Sequence, residues 1–593
     1  MQFSRRIRVI CRRSLTIALA LITAISLSAC NPATLRSQAS QGSQVVRAIL
    51  SDPTTFNPIL STDATVSRIF AMTNPGLTTS NPITGEIEPE LAESWEVSED
   101  KRKIVFTLRK GLKWSDGHPL TADDVIFTYN DLVFNKDIPT SSKDLLRIGQ
   151  SRKLPKLRKI DNLRIEFTLP EPFSPILNAT SLEILPTHIL RETIEKKDSQ
   201  GKPLFLSAWN LDTPPEKIIT SGSYKIKAYV PSERVILERN PYYWKKDEQG
   251  NQLPHIDRVF LPIVENLDTF LLQFRSGSLD SVSVSPQYYS LLKREEKRGK
   301  FTIYNGGPAY GTTFFFFNLN KGRRDGNPLV APVKSRWFNN VKFRQAVAYA
   351  VDRQTMINNI YRGLGQPQNT QMSIQSPYYD SSIKGYDYNP QKAKKLLLEA
   401  GFKYNNTDEL LDAEGNRVRF TLNTNAGNTI REAIGVQIQQ DLNKIGIRVD
   451  FKPLAWNNFI DKLSNSLDWE CGLLGLTGGN EPNGGANVWF PDSNLHMFNQ
   501  KPGAGQKPIE GREVADWEKK IAYLYIEGAK EFDIEKRKAI YSETQRLISE
   551  NLPFIYLVNP YSLAAVRDRL SGVEFTALGG IYWNIEELKV TSE

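Results

Sequence analysis

Residues 113–130, KWSDGHPLTADDVIFTYN, place one histidine, three aspartates and the hydroxyls of Ser115 and Thr121 within a few positions of one another. That composition would suit a metal site or an acid/base pair. The spacing argues for another use. Asp116-Gly117 reads as a turn, and Thr121 stands three residues before Asp124, as a helix N-cap and its reciprocal acid do. Asp123 and Asp124 then fall in a first helical turn, where unpaired N–H groups and the helix dipole favour negative charge. Val125, Ile126, Tyr129, Leu132 and Val133 follow at the spacing of one buried helical face. A metal would require further ligands at matching intervals, whereas His118, His188, His255 and His496 are isolated along the chain. A hydrolase is equally unsupported: the chain has no Gly-x-Ser-x-Gly elbow, no His-Glu-x-x-His helix and no Walker loop. No catalytic residue, metal or cofactor is expected.

The elements that position these residues are of mixed α/β type. Period-two alternation marks strands at KIVFTLRKGLKW (Ile104, Phe106, Leu108), LRIEFTL (Ile165, Phe167, Leu169) and RVILERN. NPQKAKKLLLEAGF reads as a helix: Asn389 caps it, Pro390 opens it, Ala393, Leu396, Leu397 and Ala400 form its apolar face, and Gly401 suits the left-handed exit. In NTIREAIGVQIQQDLNKIGIRVDF, a helix with Ile430, Ala433, Ile434, Ile438 and Leu442 on one face ends near Gly446. It passes into a strand through Ile447, Val449 and Phe451, as in a helix packed on a sheet.

The chain of 593 residues is long enough for two or three lobes. Its start reads as an export signal: five arginines (Arg5, Arg6, Arg8, Arg12, Arg13) precede the uncharged run LTIALALITAISL, which is short for a membrane span. The run ends in LSAC, Leu27 to Cys30, which resembles a bacterial lipobox with Cys30 as the lipidated first mature residue. Loss of residues 1–29 removes five arginines and no acids, which lowers the formal charge from +9 to +4. The basic stretches that remain, RKLPKLRK (152–159) and KREEKRGK (293–300), are broken by proline or diluted by glutamate, so no nucleic-acid-binding face is expected. Cys11 leaves with the signal and Cys30 carries lipid, so Cys471 has no disulfide partner. Residues 30–44 form a polar tether. No later uncharged run approaches the length of a membrane span.

The stretch PELAESWEVSEDKRKIVFTLRKGLKWSDGHPLTADDVIFTYN closely resembles the signature of the family-5 bacterial extracellular solute-binding proteins, the oligopeptide, dipeptide and nickel receptors of ABC importers. SGSYKIKAYVPSERVILERNPYYW resembles a later segment of the family, with Ser223 where proline is usual. VKFRQAVAYAVDRQTMI, YNPQKAKKLLLEAGF and IQQDLNKIGIRVDF follow in the family's order.

The resemblance implies a periplasmic-binding-protein-like α/β fold: two lobes joined by hinge crossings, plus an inserted domain. Mapped by order, the first lobe takes 45–80, 205–310 and 556–593, the inserted domain 81–204, and the second lobe 311–555. It implies an exported, lipid-anchored monomer, periplasmic or at the cell surface, that passes a peptide or peptide-like solute to ABC permease subunits. Nickel chelates, opines and oligosaccharides are alternative ligands within the family. Peptide-binding relatives carry an aspartate that pairs with the peptide's α-ammonium in the segment matching GLLGLTGGNEPNGGANVWF (472–490); here Gly478 stands at that place. Either Glu481, the nearest acid, takes the ammonium, or the ligand is held without one. Thr477, Gly478, Asn480, Glu481, Asn487 and Trp489 are the candidate binding residues of this segment, and Trp456, Tyr310 and Phe56 join Trp489 as candidate apolar walls.

Overall fold

The computed structural model describes residues 43–591 apart from 62–63, 141, 265, 494 and 504–505. The expected lipidation site Cys30 and the export segment lie outside the described residues.

Two sheets build the first lobe. In one, Gln44–Val46 runs parallel to Arg258–Pro262, which continues antiparallel through Arg234–Arg239 to Tyr224–Val230. In the other, Val558–Arg567 lies between Ser281–Ser283 and Phe301–Pro308, antiparallel to both. Buried Asp280 ties the two sheets together: its carboxylate accepts from Val46 N at 2.7 Å and pairs with Arg569 at 2.6 Å. A separate antiparallel sheet, in the order Ala92–Val97, Lys103–Leu108, Arg164–Thr168 and Lys156–Lys159, forms the extra subdomain. The alternation that predicts its central strands places Ile104, Phe106, Leu108, Ile165 and Phe167 in the core.

The second lobe is built on a five-stranded sheet in the order Arg448–Leu454, Arg419–Asn425, Cys471–Leu476, Thr312–Phe317, Ile555–Tyr556. Phe314 to Phe317 are each at most 1% exposed. Such an uninterrupted apolar run belongs to a strand covered on both faces. Helices Val341–Ala350, Pro390–Glu399 and Thr429–Asn443 pack in the same core. The latter two follow their sequence signals: Asn389 and Asn428 accept from backbone N–H groups at the N-caps, and Gly401 and Gly446 take positive φ after the helix ends.

Two strand crossings lie side by side between the lobes. Phe301–Pro308 passes into Thr312–Phe317 through 309–311, and Ile555–Tyr556 passes into Val558–Arg567 at Leu557. Ala309 N donates to Pro560 O at 2.8 Å and Leu557 N to Thr313 O at 3.0 Å. Buried Asn559 donates from Nδ2 to Ala309 O at 2.7 Å and Gly311 O at 3.2 Å, so one side chain stitches both crossings. At a distance in sequence from this hinge, the extra subdomain meets the second lobe where Ser174 N donates to Ala529 O at 2.7 Å and Glu171 pairs with Lys530 at 2.8 Å.

Candidate functional site

The stretch from Trp114 to Asn130 is occupied with structural tasks. Thr121 Oγ1 accepts from Asp123 N, and Asp124 accepts in return from Thr121 N at 2.9 Å, completing the expected capping box. The second oxygen of Asp124 accepts from Thr187 N at 2.9 Å, and Asp123 pairs with Lys159 at 2.7 Å. Beyond Ile126 the helix widens into a π-type segment, Phe127–Val133, which buries Phe127 along with Tyr129, Leu132 and Val133. The histidines are less isolated than their sequence positions imply. The rings of His118 and His188 stack at 4.0 Å, and His188 Nε2 lies 2.8 Å from Asp116 Oδ2. His496 is buried between Val488 O and Glu518. Among the described residues, no group of three or more His, Cys, Asp or Glu side chains is arranged to hold a metal ion.

The candidate site is a cavity of about 1780 Å³ between the lobes. Ser281–Ser285 and Leu563 contribute from the first lobe, Thr312, Phe314 and Leu476 from the second, and Tyr310 from a crossing. Of the residues singled out from sequence, Thr477, Gly478, Asn480, Glu481, Trp489 and Tyr310 line it. Asn487, Trp456 and Phe56 do not. Asn487 sits on the short helix Ala486–Trp489, whose Ala486, Val488 and Trp489 turn into the core. Trp456 opens the helix Trp456–Asp461 and is 52% exposed outside the cavity. Phe56 is a core residue, 2% exposed and edge-on to Tyr229 at 5.5 Å. Trp489 presents part of its ring to the cavity while packing edge-on against Phe554 at 5.7 Å.

Two placements change the chemistry expected of the glycine-rich loop. A Cβ at Gly478 would lie 1.9 Å from Tyr310 O, so the loop backbone rests directly on the crossing and leaves no room for an aspartate. Glu481 is not a free anion. Arg537, on helix Ile534–Asn551, meets both of its oxygens, Nη2 to Oε1 at 2.5 Å and Nη1 to Oε2 at 2.9 Å. Arg537 also donates to Tyr378 Oη at 2.7 Å and to Gly528 O at 2.8 Å. Burial opposes the charge of Arg537, but Glu481 outweighs it and raises the guanidinium above its ordinary value. An anion already in a bidentate pair offers no net charge to an ammonium, which weighs against the first of the two alternatives, Glu481 as the ammonium's partner.

Other charges of the wall are not singled out by the sequence reading. Arg109 lies 3.9 Å over the ring of Trp244, and Arg47 lies 4.7 Å over that of Tyr582. Burial lowers Arg47 to about 10. Burial, seconded by Glu586, pushes the Glu90 carboxyl up to about 7 against the opposing pull of Lys245 and Arg109. Burial likewise pushes Glu183 up to about 7. Glu183 had a legible signal: it is a single acid within the apolar stretch Leu182–Leu185. The partnership of Glu481 with Arg537, 56 residues away, had none.

The profile of the Bacterial extracellular solute-binding proteins, family 5 Middle, matches residues 86–500. A probable ABC transporter-binding protein of Deinococcus radiodurans is 33% identical over 554 residues, covering 88% of each chain. The structure of the oligopeptide-binding protein AppA from Bacillus subtilis, in complex with a nonapeptide, matches with a TM-score of 0.73 and 25% identity over 93% of this chain and 100% of that one. The periplasmic binding protein MelB of Agrobacterium fabrum, in complex with stachyose, shares the fold with a TM-score of 0.77 at 23% identity, over 93% of this chain and 85% of that one.

Proposed function

The chain belongs to the bacterial extracellular solute-binding proteins, family 5, and on that premise we propose that it captures a peptide or peptide-like solute between its lobes and delivers it to the permease subunits of an ABC importer. The observation that carries this reading is the size and setting of the cavity. About 1780 Å³ exceeds the roughly 300–1,000 Å³ typical of sites for small organic ligands and suits a chain of several residues. Its walls come from both lobes, so rotation about the crossings at 309–311 and Leu557 closes them over a ligand. The division into 45–80 with 205–310 and 556–593, the subdomain 81–204, and 311–555 is part of this reading; the larger sheets fall along it, while the pairing of Thr78–Ser80 with Ile87–Pro89 crosses its boundary at 80 and that of Tyr556 with Phe314 crosses its boundary at 555. No reaction is assigned to the cavity.

One feature supports a second ligand class. Tyr243, Trp244, Tyr288 and Trp583 line the wall, and aromatic faces of this kind also stack on the apolar faces of oligosaccharides. Mass spectrometry of the solute released on denaturing untagged protein separates the two. Peptides returned intact support the proposal, and sugars without peptides overturn it.

The reading includes export, a lipid anchor at Cys30 and a monomeric folded body; of the tether expected at 30–44, Ser43 and Gln44 already belong to that body, Ser43 bonded to Asp257 and Gln44 paired with Arg258. No helix among the described residues is long and apolar enough to cross a membrane. Cys30→Ser is expected to abolish labelling by a fatty-acid probe and release the protein from the membrane fraction; persistent labelling would refute the anchor.

A further inference from the structure

The extra subdomain reaches the second lobe from one end of its sheet. Lys103 is in register with Thr168, and Thr168 with Lys156, so the turn before Lys103, the segment after Thr168 and the loop before Lys156 all leave the sheet at that end. Each makes a contact across the gap. Ser174 donates to Ala529 O from its backbone N at 2.7 Å and from Oγ at 3.2 Å. Glu171 pairs with Lys530 at 2.8 Å. The Arg152 guanidinium lies 4.6 Å over the ring of Phe490, and Lys101 Nζ lies 5.8 Å over that of Phe532. A Cβ at Gly149 would collide with the Glu171 carboxylate, so Glu171 rests on the loop that carries Arg152.

These contacts must break when the lobes separate. The subdomain shares one continuous core with the first lobe, in which Phe106, Phe167 and Leu190 join Tyr224, Leu237 and Val259, so it moves with that lobe. Among the described residues, Ala529 is the single member of that core from the stretch 311–555. Rotation about 309–311 and Leu557 displaces inter-lobe contacts that lie away from those crossings. What breaks is small: two hydrogen bonds to one carbonyl, two cation–ring contacts, and an ion pair whose side chains are 30% and 27% exposed. Polar interfaces of this kind within a chain permit relative motion.

The receiving side also belongs to the cavity wall. Helix Asp516–Lys530 carries Ala529 and Lys530 and presents Tyr525 to the cavity. Phe490 follows Trp489, whose ring stacks on that of Tyr525 at 6.3 Å. The gripping residues themselves, Arg152, Glu171, Ser174, Phe490, Ala529 and Lys530, do not line the cavity.

We propose that the extra subdomain is a latch: carried by the first lobe, it holds the second closed through Arg152, Glu171 and Ser174 before a solute arrives, and so sets affinity without touching the ligand. This rests on the lobe rotation described above. Closing is part of the free energy of binding, so the apparent dissociation constant rises in proportion as the closed fraction falls. A latch that touches no solute changes the affinity for every solute by the same factor. Its charges also make closure depend on salt.

Double electron–electron resonance between spin labels at Lys156→Cys and Lys519→Cys, both exposed, reads the distance from subdomain to second lobe. Cys471 is buried, and Cys30→Ser removes the other thiol expected in the mature chain. Without solute, in about 50 mM salt, the parent should show mainly the short distance. Arg152→Ala and Lys530→Ala should each lower the closed-to-open ratio about threefold, and together about tenfold. Lys530→Arg should retain the parent's ratio. Raising the salt to about 1 M should open the parent and act less on the double variant. In calorimetry with a pool of nonapeptides, free or N-acetylated, the double variant should lose affinity by its fall in closed fraction, the same factor for both pools. Should a variant fail to fold, the salt titration of the parent carries the test. A parent that is open without solute and closed by it would overturn the latch and leave lobe rotation intact. So would a parent whose two distances keep one ratio in the variants and at high salt. A single distance throughout, with and without nonapeptides, would overturn both.

Discussion

Glu481→Gln removes one charge from a buried pair and leaves nearly every other contact in place. The Arg537 and Glu481 side chains are 7% and 15% exposed, so solvent does little to screen what is lost. Of the two charge-assisted bonds, the glutamine carbonyl retains one in weakened form, while its NH2 faces a donor. Loss of a bond to a charged group costs about 1.5–3 kcal/mol, and breaking a buried pair from one side costs about 3–5 kcal/mol. Arg537 keeps the Gly528 carbonyl, the Tyr378 hydroxyl and the faces of Tyr378 and Tyr541, which argues for the lower end. We expect a loss of about 3 kcal/mol for Glu481→Gln and up to about 5 for Glu481→Ala. Urea unfolding followed by tryptophan fluorescence measures it. The double change Glu481→Leu with Arg537→Met should recover most of the loss, since a buried pair replaced by apolar groups of similar volume is often neutral or better. Arg537 is raised above its ordinary value, so its contribution is complete at every pH below the unfolded guanidinium pKa and lost only above it. The deficit should therefore be flat between about pH 6 and 9. Stability within about 1 kcal/mol of the parent together with lost peptide affinity would refute the structural assignment and return Glu481 to the ligand.

Gly478→Asp should destabilise by at least about 1–3 kcal/mol through overpacking against Tyr310 O, and calorimetry should find no gain in peptide affinity. Asp124→Asn should cost about 1–2 kcal/mol by weakening the cap over Thr121 and the bond from Thr187 N, with peptide affinity unchanged. Asn559→Leu leaves the Ala309 and Gly311 carbonyls without their donor, and small-angle scattering should show a broader range of lobe openings without ligand. Glu183→Gln should raise the unfolding midpoint at pH 8 and have little effect at pH 5. The folded carboxyl near 7 lies above its unfolded value, so the penalty it imposes is absent below that value, grows as pH rises through 7 and is complete above.

The family, the α/β class and the elements with local signals were legible in the chain because they depend on neighbours within a turn or two. Thr121 with Asp124, Asn389 with Gly401, and the alternation through Ile104, Phe106 and Leu108 each carry their own explanation in a few residues. A cap satisfies the N–H groups next to it whatever the rest of the fold does. The binding wall was legible only as a segment. That the loop at 477–481 lines the cavity follows from its place in the family order, but what its residues do there is set by contacts made across long separations. Gly478 stays glycine because a crossing strand passes 168 residues earlier in the chain, at Tyr310. Glu481 is neutral in effect because helix Ile534–Asn551 brings Arg537 to it. Phe56 and Trp456 look alike as aromatic candidates in the sequence and part company once one is enclosed by its lobe and the other is left at the surface. Glu183, unlike Glu90, Glu481 and Glu586, has no cation near it among the described residues, a property no single residue carries. Net charge in a cavity is a sum over everything that folding brings within a few ångströms, and electrostatic energy falls with distance in space, not in sequence.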